Sequence, residues 1–304
     1  GVQTCALPIS NSSIGASTND ASNLVISGGT LKYTGSSVST DRNFTINDGA
    51  TGTIEVTTSG TVLTVSGAAA SSTGALTKTG PGTLTLSGAN AYTGATTISA
   101  GTLQLGASGV ISDSSAVQIA NGSTFDLNSY SETVASIADV SGNTTGAITL
   151  GSGTLTVVGS ATATFSGVVS GTGGLTLGSS HSGTLTLANS ANTYTGATTI
   201  SGGTLSVGTL ANGGSNSSIG KSTNGASNLV ISGGTLKYTG SSVSTDRNFT
   251  INDGATGTIE VTTSGTELTV SGAAASSTGA LTKTGSGTLT LSGANAYTGT
   301  TTIS

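Results

Sequence analysis

The residues that could do chemistry in this chain are few and scattered. Asp41 and Arg42 are adjacent, and the pair recurs as Asp246 and Arg247. A carboxylate beside a guanidinium could act as an acid/base pair. The pair is copied with the whole block around it, however, and a catalytic centre needs no second copy. An exposed salt bridge is the reading the sequence supports. Asp48 and Glu55, with Asp253 and Glu260, raise glycoside hydrolysis, which needs two carboxyl groups facing each other across about 5–9 Å. No motif gathers Asp, Arg, Lys and His around them. His181 lies in a Ser-Ser-His-Ser-Gly turn and reads as a solvated loop histidine. Cys5 is single, so it offers neither a disulfide nor a metal cluster. Gly-Gly pairs at 28–29, 202–203 and 233–234 lack an Asp in register for a calcium nonapeptide. Lys78 and Lys283 stand where a related segment has Leu177, so a basic group is not essential there. No nucleophile elbow, zinc-protease helix, phosphate loop or zinc spacing occurs. The expectation is a protein without an enzyme site, a metal or a cofactor.

Two repeated polar patterns remain. Asn90, Asn192 and Asn295 each stand two residues before a tyrosine, at Tyr92, Tyr194 and Tyr297. A ligand-binding ladder is one reading. Turn chemistry is the simpler one: Asn tolerates left-handed backbone and caps turn amides, while the Tyr ring packs on the corner with its hydroxyl wet. Thr-x-Thr pairs at Thr83/Thr85, Thr184/Thr186 and Thr288/Thr290 raise an ice-binding threonine array. Lys32, Gln104 and Ser206 interrupt that array in sibling segments.

The elements that would carry these residues follow from composition. Only 6% of the 304 residues are charged, 49 are Gly, two are Pro, and Met and Trp are absent. Charge-driven disorder is excluded because there is little charge to repel, and collagen because no three-residue glycine period exists. The rest is largely Thr, Val, Ile and Leu, which suit strands, and Gly, Ser, Asn and Asp, which suit turns. The net charge of −5 with seven scattered basic residues argues against nucleic acid. Gly1 to Ile9 match nothing downstream and read as a foreign, non-native stretch, leaving residues 10–304 as one continuous solenoid.

Repeats organise the remainder. Residues 10–99 and 215–304 differ at five of 90 positions, with an offset of 205, and are joined by 100–214. Within them, Gly82-Thr-Leu-Thr-Leu86 recurs as Gly101-Thr-Leu-Gln-Leu105, and Gly183-Thr-Leu-Thr-Leu187 as Gly203-Thr-Leu-Ser-Val207. The same signal starts at Gly29 and Gly153. A period of roughly 20 residues fits one coil of a β-solenoid, with three short strands and three corners. Alternation turns Leu84, Leu86, Phe44, Ile46, Ile54, Val56, Leu63 and Val65 inward, and Thr83 and Thr85 outward. Stacking predicts Leu103 directly on Leu84, and roughly 12–15 coils in all, about 4.8 Å apart.

The segment from Gly82 to Leu103 resembles the autotransporter-associated β-strand repeat, also called the passenger-associated transport repeat. The resemblance rests on Gly82, Leu84, Leu86, Asn90, Tyr92, Gly94, Ile98 and Leu103 in the first copy. Asn192, Tyr194, Gly196 and Ile200 carry it in the second, and Asn295, Tyr297, Gly299 and Ile303 in the third. It implies an all-β, right-handed parallel β-helix in the passenger of a bacterial autotransporter, at the cell surface, anchored to the outer membrane or secreted. A C-terminal outer-membrane β-barrel translocator beyond Ser304 would be its export partner. Adhesion to host surface glycans or proteins, or self-association, is the implied role, with a spacer for an enzyme domain elsewhere as the alternative.

Overall fold

The structure is a computed structural model that describes residues 13–140 and 145–304. Gly1–Ile9, read above as foreign, lie outside the described residues. The chain forms two compact units, the first running to Gly153 and the second from Thr154.

In the first unit, strands Thr30–Tyr33, Thr51–Val56, Ala75–Thr79, Thr96–Ile98, Ala116–Ile119 and Ser136–Asp139 pair in that order, all parallel. Six further strands, each following one of these in sequence, form a second parallel sheet: Val38–Thr40, Val62–Val65, Thr83–Leu86, Thr102–Leu105, Thr124–Asp126 and Ala147–Thr149. A third face begins with Val25–Ile26 on Thr45–Ile46 and continues as single bridges, Phe44 to Ala69 and Ser72 to Tyr92. The chain visits each face once per turn, which makes this a parallel β-solenoid.

The second unit repeats the plan. One ladder runs through Ala163–Phe165, Thr184–Leu187, Thr204–Val207, Thr235–Tyr238, Thr256–Val261, Ala280–Thr284 and Thr301–Ile303. Another runs through Leu155–Val157, Leu175–Leu177, Thr198–Ile200 and Leu229–Ile231, and a third through Val243–Thr245, Glu267–Val270 and Thr288–Leu291.

Like stacks on like inside. Leu103 lies over Leu84 and Leu105 over Leu86, and all four are fully buried. Phe44, Ile46, Ile54, Val56, Leu63 and Val65 are buried too. Each such side chain contributes roughly 1.5–3 kcal/mol by leaving water. The corners demand close backbone approach. A methyl group on Gly88 would lie 2.3 Å from the Gly67 carbonyl oxygen, and one on Gly94 2.4 Å from that of Gly74. Only glycine lets neighbouring coils touch there.

The coil length departs from the expected uniform period. The step from Thr83 to its partner Thr102 matches it, but the step from Val38 to its partner Leu63 is longer. The step from Thr204 to Thr235 is longer still, because 208–228 loop out of the ladder. The Gly-Thr-Leu signal marks a strand start, not one face. Thr30–Tyr33 and Thr83–Leu86, which both carry it, belong to different sheets of the same unit.

Candidate functional site

Three sets of side chains stand out: those locking the corners, those buried with charge, and those forming rows on the outer faces.

The asparagines lock corners. Asn90 Oδ1 accepts from the Ala69 amide (2.8 Å), one coil away. Its Nδ2 donates to Gly88 O (2.8 Å) in its own coil and to Val110 O (2.9 Å) in the next. One amide therefore ties three coils. Asn192 does the same with Val169 N, Asn189 O and Ser218 O. Asn295 bonds Ala274 N and Gly293 O. The left-handed backbone expected at these asparagines is not found: among described non-glycine residues only Asn128 and Ser129 have positive φ. The side-chain geometry alone makes the cap.

The hydroxyls of Tyr92 and Tyr194 are not wet, whereas Tyr297 makes the equivalent bond to Thr301 at an exposed position. Tyr92 is fully buried, and its hydroxyl bonds Thr96 Oγ1 at 2.9 Å, which in turn bonds Ser115 Oγ at 2.9 Å. Tyr194 pairs with Thr198 in the same way at 2.7 Å. Burial pushes both phenols far above their ordinary pKa. Tyr and Thr four residues apart thus form one buried unit, which is why the repeated segment carries both. The inward threonine escaped the sequence analysis; its spacing from the tyrosine was the available signal.

Charged groups lie deeper than expected. Lys78 sits in the inward column between Ile54 and Ile98 and is fully buried. Its ammonium donates to the carbonyls of Thr79 (2.9 Å), Gly80 (2.7 Å) and Ala100 (2.9 Å). Burial lowers its pKa to about 8, with Glu55 pulling the other way. Lys283 makes the first two equivalent bonds, to Thr284 and Gly285.

Asp41 and Arg42 do not form the expected exposed salt bridge. Arg42 is buried and donates to Ser17 Oγ (2.7 Å) and to the Gly15 carbonyl. Arg247 donates to Ala211 O (2.8 Å), Gly220 O (2.8 Å) and Ser222 Oγ (2.9 Å), clamping the looped-out 208–228 segment. Neighbouring Asp246 holds the Gly213 amide at 2.7 Å. The carbonyl-rich loop offers acceptors that adjacency alone does not reveal.

His181 is buried at 3% exposure, contrary to the solvated reading. Its ring fills the corner over Gly203, where a methyl group would come within 2.4 Å of Cδ2. Neither ring nitrogen makes a well-formed hydrogen bond. Burial lowers its pKa, opposed by the Gly159 backbone. Glu132 is buried as well. Its Oε2 accepts from Val110 N at 3.0 Å, closing the corner that Asn90 reaches from the other side. Burial raises its pKa to about 7 against the pull of the Val110, Thr133 and Ile111 amides.

The carboxylates weighed for hydrolysis are occupied separately. Asp48 accepts from Thr73 N at 2.7 Å, and Asp253 from Thr278 N at 2.7 Å. Glu55 pairs with Lys32 (3.2 Å) and Glu260 with Lys237 (3.1 Å). Among the described residues no three His, Cys, Asp or Glu side chains gather as a metal site.

The outer faces are rows of hydroxyls. In the second unit Thr184, Thr204, Thr235, Thr258, Thr282 and Thr302 stack in one register column. The column two residues along reads Thr186, Ser206, Lys237, Glu260 and Thr284. The first unit stacks Thr30, Thr53, Thr77 and Thr97, flanked by Lys32 and Glu55. Thr85, expected outward, is covered to 6% exposure and donates to Gln104 Oε1 at 3.1 Å. The ion pairs interrupt what would otherwise be continuous hydroxyl rows.

Residues 76–105, 182–207 and 281–304 match the family described as Passenger-associated-transport-repeat. Over 293 residues, 96% of the chain, the sequence is 48% identical to the Adhesin BmaC autotransporter of Brucella suis biovar 1 (strain 1330). The chain spans 8% of the length of that relative. No solved structure matches.

Proposed function

We propose that the chain is a passenger-repeat segment of the autotransporter type carried at the bacterial cell surface, and that it is adhesive and without an enzyme site. The observation that carries the reading is the division of labour between inside and outside. Asn90, Tyr92, Lys78 and Arg247 are consumed in holding coils together. What faces solvent is a repeated low-charge surface of Thr, Ser and Asn. Repeated weak contacts on such a surface sum to avidity, which suits adhesion to surface glycans or proteins. The name of the similar protein, an adhesin, supports the same reading. The export partner in this proposal is an outer-membrane β-barrel translocator supplied by the whole protein.

Beads coated with the purified chain test it. Retention on epithelial cell layers or extracellular-matrix coats several-fold above albumin-coated beads is expected. Equal retention on every surface refutes the adhesive role. Release by periodate treatment of the target points to glycan, and release by protease treatment to protein.

A further inference from the structure

One corner of the first unit is built unlike the others. Among the described residues Tyr130 is the one exposed aromatic side chain, at 39% exposure. The two residues before it, Asn128 (φ 50°) and Ser129 (φ 71°), are left-handed. The other left-handed positions described are glycines, which take that backbone without steric cost. Here the chain keeps side chains, and they brace the corner. Asn128 Nδ2 donates to Leu105 O (3.2 Å) on the preceding coil, and Ser129 Oγ accepts from Ser152 N (3.2 Å) on the following one. Tyr130 N donates to Leu127 O (2.8 Å), closing a mirror-image β-turn. Ser131 N donates to Ser108 Oγ at 3.1 Å. The turn is held to both neighbouring coils through the residues immediately around the ring.

The surroundings narrow the ligand. The corners on the coils before and after, 106–109 and 151–153, hold nothing larger than Ala or Ser, so neither supplies a large side chain to cover the ring. Asp126 stands at the entry to the turn. Its Oδ1 accepts from Asn128 N (2.8 Å) and its Oδ2 from Gln104 Nε2 (2.9 Å), while Gln104 Oε1 accepts from Thr85 Oγ1 (3.1 Å). These bonds fix the carboxylate, which with about four acceptor sites keeps capacity for further donors. No Lys or Arg occurs in the sequence between Lys78 and Lys221, which disfavours an anionic ligand. A quaternary ammonium calls for a cage of several rings, and a docked peptide for a groove or a free sheet edge. An exposed ring beside a fixed acceptor suits a molecule with one apolar face and a rim of hydroxyls, and a neutral pyranose has both.

We propose that Tyr130 and Asp126 form a subsite for a neutral saccharide, with the phenol ring stacked on the C–H face of a pyranose and the carboxylate accepting from its hydroxyls. The left-handed turn serves to present the ring in one place, so that little ordering remains to be done on binding. This deepens the adhesive reading and rests on it, by naming the ligand class. One ring and one carboxylate make a weak site, which becomes effective when many copies share a surface.

Saturation-transfer NMR on the whole chain tests the subsite, with lactose, cellobiose and methyl mannoside as probes and choline as the cationic control. Transfer to the C–H protons of at least one sugar is expected. Tyr130→Ala should weaken binding about tenfold, whereas Tyr130→Phe, which keeps the ring, should stay within about twofold of wild type. Asn128→Gly with Ser129→Gly keeps the left-handed backbone and the ring but removes the braces, and should weaken binding about threefold. Circular dichroism checks that each variant folds. No transfer to any of the three sugars overturns the proposal, as does undiminished transfer in Tyr130→Ala, a Tyr130→Phe as weak as Tyr130→Ala, or transfer to choline in place of the sugars. Unchanged affinity in the double glycine variant overturns the role given to the turn. Bead retention on cells and matrix fails separately: beads held nowhere while sugar binds through Tyr130 sink the adhesive reading alone, and beads held while no sugar binds sink the subsite alone.

Discussion

Asn90 provides a controlled experiment because the chain carries a near-copy of its surroundings at Asn295. Asn90 makes three hydrogen bonds to three coils and is buried, whereas Asn295 makes two and is half-exposed. Replacing Asn90 with Ala leaves the Ala69 amide without its acceptor in a dry corner, which costs about 1–3 kcal/mol. Loss of the bonds to Gly88 and Val110 adds about 0.5–1.5 kcal/mol each, the lower figure for Val110, whose carbonyl keeps the Asn90 backbone amide. The expected sum is about 3 kcal/mol. The same change at Asn295 removes fewer bonds in a wetter site and is expected to cost about 1 kcal/mol. Coils of a solenoid open locally, so the assay is amide hydrogen exchange followed at Ala69 and Ala274. The Ala69 amide in Asn90→Ala is expected to exchange on the order of a hundredfold faster than in wild type, and Ala274 in Asn295→Ala roughly fivefold faster. Equal acceleration at the two sites, or less than about threefold at Ala69, refutes the three-coil tie.

Glu132 makes stability depend on pH with a definite sign. Its pKa is raised from the ordinary 4.5 to about 7, so the folded state binds its proton more tightly, and stability falls as pH rises from about 4.5 through about 7. With allowance for residual solvent the loss is about 1–2 kcal/mol, and Glu132→Gln should flatten the slope in urea unfolding across that window. Lys78 works in another window: its pKa is lowered to about 8, so the folded state sheds the proton first and stability rises between about pH 8 and 10.5. Lys78→Met, which imitates the apolar Leu177, should remove that rise and change stability at pH 7 by no more than about 1 kcal/mol. Arg247→Ala should release the 208–228 loop, seen as protease cleavage there at rates at least about tenfold above wild type, with the Thr235–Tyr238 ladder still protected.

Much of the architecture was legible in the residues themselves. Period-two alternation in Thr83-Leu84-Thr85-Leu86 assigns the inner and outer faces, because successive side chains on a strand point to opposite sides. Recurrence of that pattern one coil later places Leu103 on Leu84, since matched coils bury the inward leucines of both strands. Tertiary structure decided everything that depends on the coil above or below. Whether Tyr92 points its hydroxyl to water or to the buried Thr96 and Ser115 is settled by the coil that closes over it. Whether Arg42 meets Asp41 or an earlier loop, and whether Lys78 faces out or into the stack, depends equally on acceptors supplied by other coils. The same holds for the charge order on the outer face. Lys237 and Glu260 belong to different strands, and only the parallel register brings them to adjacent levels. Local pattern encodes which side of a strand a residue occupies. The neighbour it meets there depends on how many residues each corner consumes, and corner length varies too freely for the pattern to fix it.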